Sequence, residues 1–292
     1  MSMMKDLNQP MFENSYQPTS TVDYGKLQFF CGKTHRENQC CFSHIVGLPR
    51  HPATLNPLKL MPHQIDIVKQ ACNNKHNKFH VNKSRQIGLT EIVLRLVQYL
   101  AFSKYAGGRI MIIAGTREKT TKKVMDRLKL LFQNIPECLV QGKSSMNLTM
   151  TNGTQFEGFP SNSDAIRGDT KIKAIVIDEA AHFNLTDDSV VMNAVEPIVL
   201  TNKSDLYLVS TPRGQRGFFY EIANSENDFK KLQYDFNCAI GWIYSKEDME
   251  KELTRTDLDV DQEYRCQYTS SRSSIFGVIN DDSSEEYEAE EY

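Results

Sequence analysis

Apolar residues along this chain fall into two rhythms. Lys78 to Val81 reads as a short strand, and Glu91 to Phe102 is a longer apolar run of helical length. Ile110-Met111-Ile112-Ile113-Ala114, Ala174-Ile175-Val176-Ile177 and Leu206-Tyr207-Leu208-Val209 are unbroken apolar runs of strand length. Such runs are expected where both faces of a parallel sheet are covered. Pro62-His63-Gln64 opens an apolar-periodic helix through Ile65, Ile67, Val68 and Ala71. Thr116 can cap a helix after the second strand, with basic Lys119, Lys122 and Lys123 in its opening turns. Met146 to Thr151 and Thr154 to Phe159 alternate around Asn152-Gly153, a strong hairpin signal. Gly217-Phe218-Phe219-Tyr220 starts another helix, and Trp242 and Tyr244 mark a further strand or turn. Lys246 to Leu253 and Asp257 to Tyr268 read as amphipathic helices, while Pro49, Pro52 and Pro57 make Arg50 to Leu58 irregular. The pattern predicts an α/β fold: a mostly parallel sheet, helices on both faces and right-handed connections.

Composition narrows the class. The 292 residues are 40% hydrophobic and 24% charged, ordinary for a soluble globular chain. No apolar run approaches a membrane span, and Met1 to Tyr24 has no apolar core of a secretory signal. Seven cysteines in that setting point to reduced thiols in a cytoplasmic compartment. Cys31, His35, Cys40, Cys41 and His44 could ligate zinc, but their spacing fits no common finger, and scattered thiols near a loop are the plainer reading. The net charge is −3, yet Asp281 to Tyr292 alone holds seven acids and no Lys or Arg, which leaves +4 on residues 1–280. A mildly basic body with an acidic, solubilising tail is expected.

The candidate chemistry sits at strand ends. Lys83-Ser84-Arg85-Gln86-Ile87-Gly88-Leu89-Thr90 lies between the first strand and its helix, the context of a phosphate-binding loop. Backbone N–H groups and the helix N-terminus there attract phosphate. Gly88 allows the turn and Thr90 offers its hydroxyl to Mg2+. Leu89 stands where the usual motif has lysine, so Lys83 or Arg85 would supply the cation; an ordinary strand-to-helix turn is the alternative. Asp178 and Glu179 close a buried apolar strand at the end where open α/β sheets bind ligands. One carboxylate of such a pair can hold Mg2+ while the other orients and deprotonates water. Ser210-Thr211-Pro212-Arg213-Gly214 ends the next strand, where hydroxyls could sense a γ-phosphate or simply cap a turn. Gln64, upstream of the loop, can donate to and accept from an adenine edge.

Taken in order, the glutamine helix, KSRQIGLT, IMIIAGTRE, FPSNSDAIRG, IVIDEAAH, LVSTPRG and QEYRCQY resemble the ATPase domain of the large terminase subunit of tailed bacteriophages and related viruses. The resemblance spans about Leu58 to Tyr268 and implies a P-loop NTPase (ASCE-like) domain binding ATP and Mg2+. It casts Gln64 as the adenine contact, Lys83 to Thr90 as a deviant Walker A loop, and Asp178 and Glu179 as Walker B aspartate and catalytic glutamate. It casts Ser210, Thr211 and Pro212 as the coupling motif and Arg167 as a phosphate-contacting arginine. The implied division is an arm over 1–57, the ATPase domain over 58–268 and an acidic tail over 269–292. The implied role is a motor that moves duplex DNA into a capsid, without nuclease activity in this chain. Implied partners are double-stranded DNA, the capsid portal, the small terminase subunit, a separate nuclease chain where one exists and other copies in a ring, with no membrane. The implied location is the host cytoplasm, transiently on the procapsid. A helicase-type DNA-remodelling ATPase and a non-hydrolysing nucleotide-binding remnant of a split terminase are the alternatives.

Overall fold

In a computed structural model of the chain, the described residues are 46–47, 49–51, 54, 56, 58–73, 75–115, 118–132, 140–160, 166, 170–183 and 185–270. The Cys/His group at 31–44, Thr116, Arg167 and the acidic tail lie outside them.

Eight strands form one sheet: β1 (Lys78–Lys83), β2 (Arg109–Ala114), β3 (Val140–Lys143), β4 (Asn147–Met150), β5 (Gln155–Phe159), β6 (Ile172–Asp178), β7 (Asp205–Ser210) and β8 (Lys230–Tyr234). Their order is β3-β4-β5-β2-β6-β7-β1-β8. All ladders from β5 to β8 are parallel, and β3-β4-β5 is an antiparallel meander at one edge. The Asn152-Gly153 turn joins β4 to β5 as expected, with Gly153 at φ +84°. Side chains alternate along the central strands with period two. Val81, Ile112, Val176 and Tyr207 join one buried cluster, and Ile113, Ile175, Ile177 and Leu208 join a second on the opposite face.

Helices cover both faces, as the apolar strands require. α1 (Pro62–Cys72), α2 (Leu89–Leu100) and α3 (Glu118–Leu131) pack on the first face through Ile67, Leu94 and Leu128. α4 (Leu185–Asn202) and α5 (Gly217–Asn224) pack on the second through Val195 and Phe219. No helix among the described residues is long and apolar enough to cross a membrane.

Four elements depart from the pattern reading. α4, β3 and β8 are not expected from the periodicity. The helix expected over 257–268 is reduced to α7 (Val260–Glu263), preceded by α6 (Lys246–Glu252). Its continuation fails because the carbonyls of Glu263, Tyr264 and Cys266 accept from Arg85 N, Phe236 N and Asn82 Nδ2 instead of from the next helical turn. The segment around Trp242 and Tyr244 is a turn closed by a bridge between Ile240 and Tyr244.

Candidate nucleotide-binding site

The C-terminal ends of β1, β6 and β7 meet beside one cavity of about 470 Å³. Lys83, the last residue of β1, is buried and points its Nζ to Glu179 Oε1 at 3.3 Å. The chain then turns. Ser84 N donates to Tyr234 O and Arg85 N to Glu263 O, at 2.8 and 2.9 Å. The N–H groups of Gln86, Ile87 and Gly88 have no hydrogen-bond partner among the described residues. Gln86 and Gly88 are left-handed, at φ 58° and 76°. The positive φ favours glycine at this position, and a Cβ on Gly88 would lie 2.8 Å from Gln64 Nε2 and push that amide aside. Donors that lack protein partners, at the start of α2, form a concave anion site.

Leu89 is fully buried in the core. At this position the chain supplies an apolar side chain to the packing between helix and sheet, and Lys83, at the other end of the loop, is a cation that lines the cavity. Arg85 lines the same cavity but already has an acidic partner. Its half-exposed guanidinium pairs with Glu263 Oε2 at 3.3 Å, and its carbonyl accepts from Tyr244 OH at 2.8 Å.

Gln64 braces the loop from α1. Its Oε1 accepts from Met61 N at 3.1 Å and its Nε2 donates to Gly88 O at 3.4 Å. An amide has two acceptor sites and two hydrogens, so one of each has no partner among the described residues, and Gln64 lines the cavity. His63 adds a bond from Nε2 to Ile87 O at 2.9 Å, so α1 holds the loop at two successive carbonyls.

The acid pair divides its work by burial. Asp178 is 6% exposed and its Oδ1 accepts from Thr90 Oγ1 at 2.8 Å. Burial, reinforced by the neighbouring Glu179 charge, raises its pKa from 3.8 to about 6, against the opposing pull of Lys83 and Thr90. A buried carboxylate that resists ionising alone, beside a hydroxyl, is a hard-oxygen pair that suits Mg2+. Glu179 adopts a left-handed φ of 52°, an uncommon backbone for a side chain other than glycine. That turn lifts its carboxylate off the strand into the cavity, where Lys83 holds one oxygen and Ser210 Oγ donates to the other at 3.4 Å. Ser210 Oγ also accepts from Ala181 N at 3.1 Å. Thr211 and Pro212 are buried next to it.

Of the residues singled out in the sequence, Gln64, Lys83 to Thr90, Asp178, Glu179, Ser210 and Thr211 converge on this end of the sheet. Two further residues join them. Arg127 of α3 lines the cavity and pairs with Glu91 Oε2 at 3.2 Å, a contact between positions 36 apart that no local motif signals. His182 Nε2 lies 2.9 Å from Thr211 Oγ1 and 3.8 Å from Glu179 Oε2. Its pKa is lowered, chiefly by burial. A signal for it exists in the sequence, where it closes the run Asp178-Glu179-Ala180-Ala181-His182 at a strand end.

A phosphate loop after β1, paired acids after β6 and the β7 strand inserted between them define a P-loop NTPase fold of the ASCE type. Residues 81–280 match the family model described as terminase large subunit, T4likevirus-type, N-terminal, and the chain belongs to that family. Solved structures agree in fold. The large terminase ATPase domain of Thermus phage P74-26 is 23% identical with a TM-score of 0.55, over 72% of this chain and 94% of that one. The large terminase of the thermophilic bacteriophage D6E in complex with ADP is 14% identical (TM-score 0.59), covering 72% of this chain and 54% of that one. The HK97 bacteriophage large terminase is 13% identical (TM-score 0.60), covering 85% and 55%. No curated protein sequence matches the chain.

Proposed function

We propose that this chain is an ATPase motor of viral DNA packaging, coupling ATP hydrolysis to duplex DNA translocation into a capsid. The observation that carries the reading is the convergence of three unpartnered loop amides, Lys83 and the Asp178–Glu179 pair on one cavity. Phosphoryl transfer asks for little covalent work from a protein and much positioning and charge stabilisation. The loop amides of Gln86 to Gly88 and the Lys83 ammonium bind the β- and γ-phosphates. Thr90 and Asp178 would hold Mg2+, which neutralises charge on the phosphate oxygens. Glu179 orients water and takes its proton, and the γ-phosphoryl passes to that water, giving ADP and phosphate. Gln64 reads the adenine edge with its remaining donor and acceptor. Ser210, Thr211 and Pro212 relay the state of the site into β7. Arg167, from this chain or a neighbouring copy, completes the charge stabilisation.

Family membership and the ADP-bound D6E terminase support nucleotide binding. The partners that follow are double-stranded DNA, a capsid portal, a small terminase subunit and further copies in a ring. The place of action is the host cytoplasm, transiently on the procapsid. The burial of Leu89 favours this reading over a non-hydrolysing remnant, because the leucine has a structural use and does not occupy the cation's place.

Steady-state ATPase activity of the purified chain, beside Lys83→Ala and Glu179→Gln, tests the proposal. Wild type is expected to hydrolyse ATP. Lys83→Ala should weaken nucleotide binding, while Glu179→Gln should bind ATP normally and lose about 10^2-fold or more in kcat, the size of a general-base contribution. Unchanged activity in Glu179→Gln would remove the assigned base.

A further inference from the structure

The imidazole of His182 has no part in this hydrolysis scheme, yet it stands between the two groups that the scheme must connect. Glu179 is held loosely: Lys83 reaches one oxygen at 3.3 Å and Ser210 Oγ the other at 3.4 Å, both long for charge-assisted bonds. To act as a base it must leave Lys83 and aim at a water near the γ-phosphate. His182 Nε2 is 2.9 Å from Thr211 Oγ1 and 3.8 Å from Glu179 Oε2, so a sub-ångström shift exchanges one partner for the other. The ring cannot drift freely. It sits at the end of a 3-10 turn, Ala180–His182, whose start is pinned by Ser210 Oγ at Ala181 N and whose end is pinned by Arg213 Nη1 at His182 O, at 3.1 Å each. Both hydroxyls at the end of β7 therefore grip the turn that carries the base.

We propose that His182 is a positioning residue for ATP hydrolysis, sharing its Nε2–H between Thr211 and Glu179 so that the setting of the β7 end decides where the Glu179 carboxylate points. With the Nε2 proton directed to Glu179, the carboxylate is steadied away from Lys83. With that proton directed to Thr211, the carboxylate falls back on Lys83 and Ser210. Burial keeps the ring neutral, and neutrality serves this role because a full positive charge beside Glu179 would make it a poorer base. The inference rests on the ATPase reading and adds a residue to it. A bland role, capping the turn by packing, would need no particular atom at Nε2.

The test compares kcat, KM and nucleotide affinity for wild type, His182→Ala, His182→Gln, Thr211→Val and the double variant His182→Ala/Thr211→Val, each with a thermal melt. Misplacing a catalytic group by about 1 Å costs on the order of 10^2-fold. His182→Ala is therefore expected to lose about ten- to a hundredfold in kcat with KM and affinity unchanged. His182→Gln, whose amide offers an N–H near the same place, should recover most of that loss. Thr211→Val should resemble His182→Ala, and the double variant should be no worse than either single one, because the two act as one unit. A His182→Ala kcat within twofold of wild type overturns the proposal. So does a loss that glutamine fails to rescue and that tracks a lowered melting point, or strictly additive effects in the double variant. If wild type binds nucleotide but hydrolyses none, the ATPase reading itself falls and this inference falls with it.

Discussion

Asp178 shows how a functional side chain works against the stability of the fold. Its pKa is raised from 3.8 to about 6, so the folded protein binds that proton more tightly than the unfolded chain does. The stability it contributes is thus fully present below about pH 4 and lost as pH rises to about 6. A difference of about two pH units corresponds to on the order of 3 kcal/mol. At pH 7 the metal-free protein therefore carries a buried, poorly solvated charge, which the proposed Mg2+ site would use. Asp178→Asn keeps the bond from Thr90 and removes the charge. It should stabilise the metal-free chain at pH 7 by about 1–3 kcal/mol and flatten the fall in stability between pH 4 and 6, while abolishing ATP hydrolysis. Urea unfolding across that pH range measures this; a variant less stable than wild type at pH 7 would refute it. Lys83, also buried, pairs with Glu179 at 3.3 Å.

Short segments are organised around the nucleotide end of the sheet. α7 is a single turn, yet Glu263 O accepts from Arg85 N and Gln262 Oε1 accepts from Gly214 N at 2.6 Å. The phosphate loop and the loop after β7 are tied to the same turn. Gln262→Ala should cost about 1 kcal/mol, typical of one lost hydrogen bond, and should speed amide exchange over 211–216 while leaving β2 and β5 protected. Hydrogen exchange read by mass spectrometry resolves the two regions, and uniform loosening of the sheet would contradict the local tie. The same elements mark where the sequence is legible. β2, β6 and β7 show because central strands must be apolar on both faces, β1 shows through Phe79 and Val81 ahead of a turn and a helix, and the chemistry at their ends follows from strand–turn–helix order. α4 does not show: apolar residues lie on all sides of it, Leu200 is 81% exposed and Pro197 interrupts the helix interior. β8 does not show because only Leu232 and Tyr234 of its five residues are buried against the core. α7 is shorter than its pattern because the periodicity over 257–268 cannot reveal that β1 and its loop claim the carbonyls. Arg127 and Glu263 gain their places from contacts across the fold, which spacing along the chain does not encode.

The first described residues reach the cavity wall, and that bears on where the folding unit begins. The division by resemblance puts the ATPase domain at 58–268. The segment before it, however, supplies Val46, which is fully buried in the core beneath α2. Its carbonyl accepts from Arg95 Nη1. Arg95 is itself buried, and burial lowers its pKa despite the pull of Glu91, so its remaining hydrogen bonds matter. Pro49 and Arg50 then form part of the cavity wall, and Pro49 O accepts from Leu58 N at 2.8 Å. We expect the folding unit to start by Val46. Removing residues 1–57 should therefore destabilise the protein relative to removing 1–45. The loss should be about 2–4 kcal/mol, from the exposed valine site and from a charged donor left without its carbonyl. Because Glu91, the partner of both Arg95 and Arg127, follows Thr90 directly, the damage should also reach the nucleotide site and weaken ATP binding. Urea midpoints and nucleotide titration of the two shortened chains give the comparison. Equal stability and equal affinity would place the boundary at 58 after all; a loss of stability with affinity intact would show that the lead-in braces α2 without shaping the cavity.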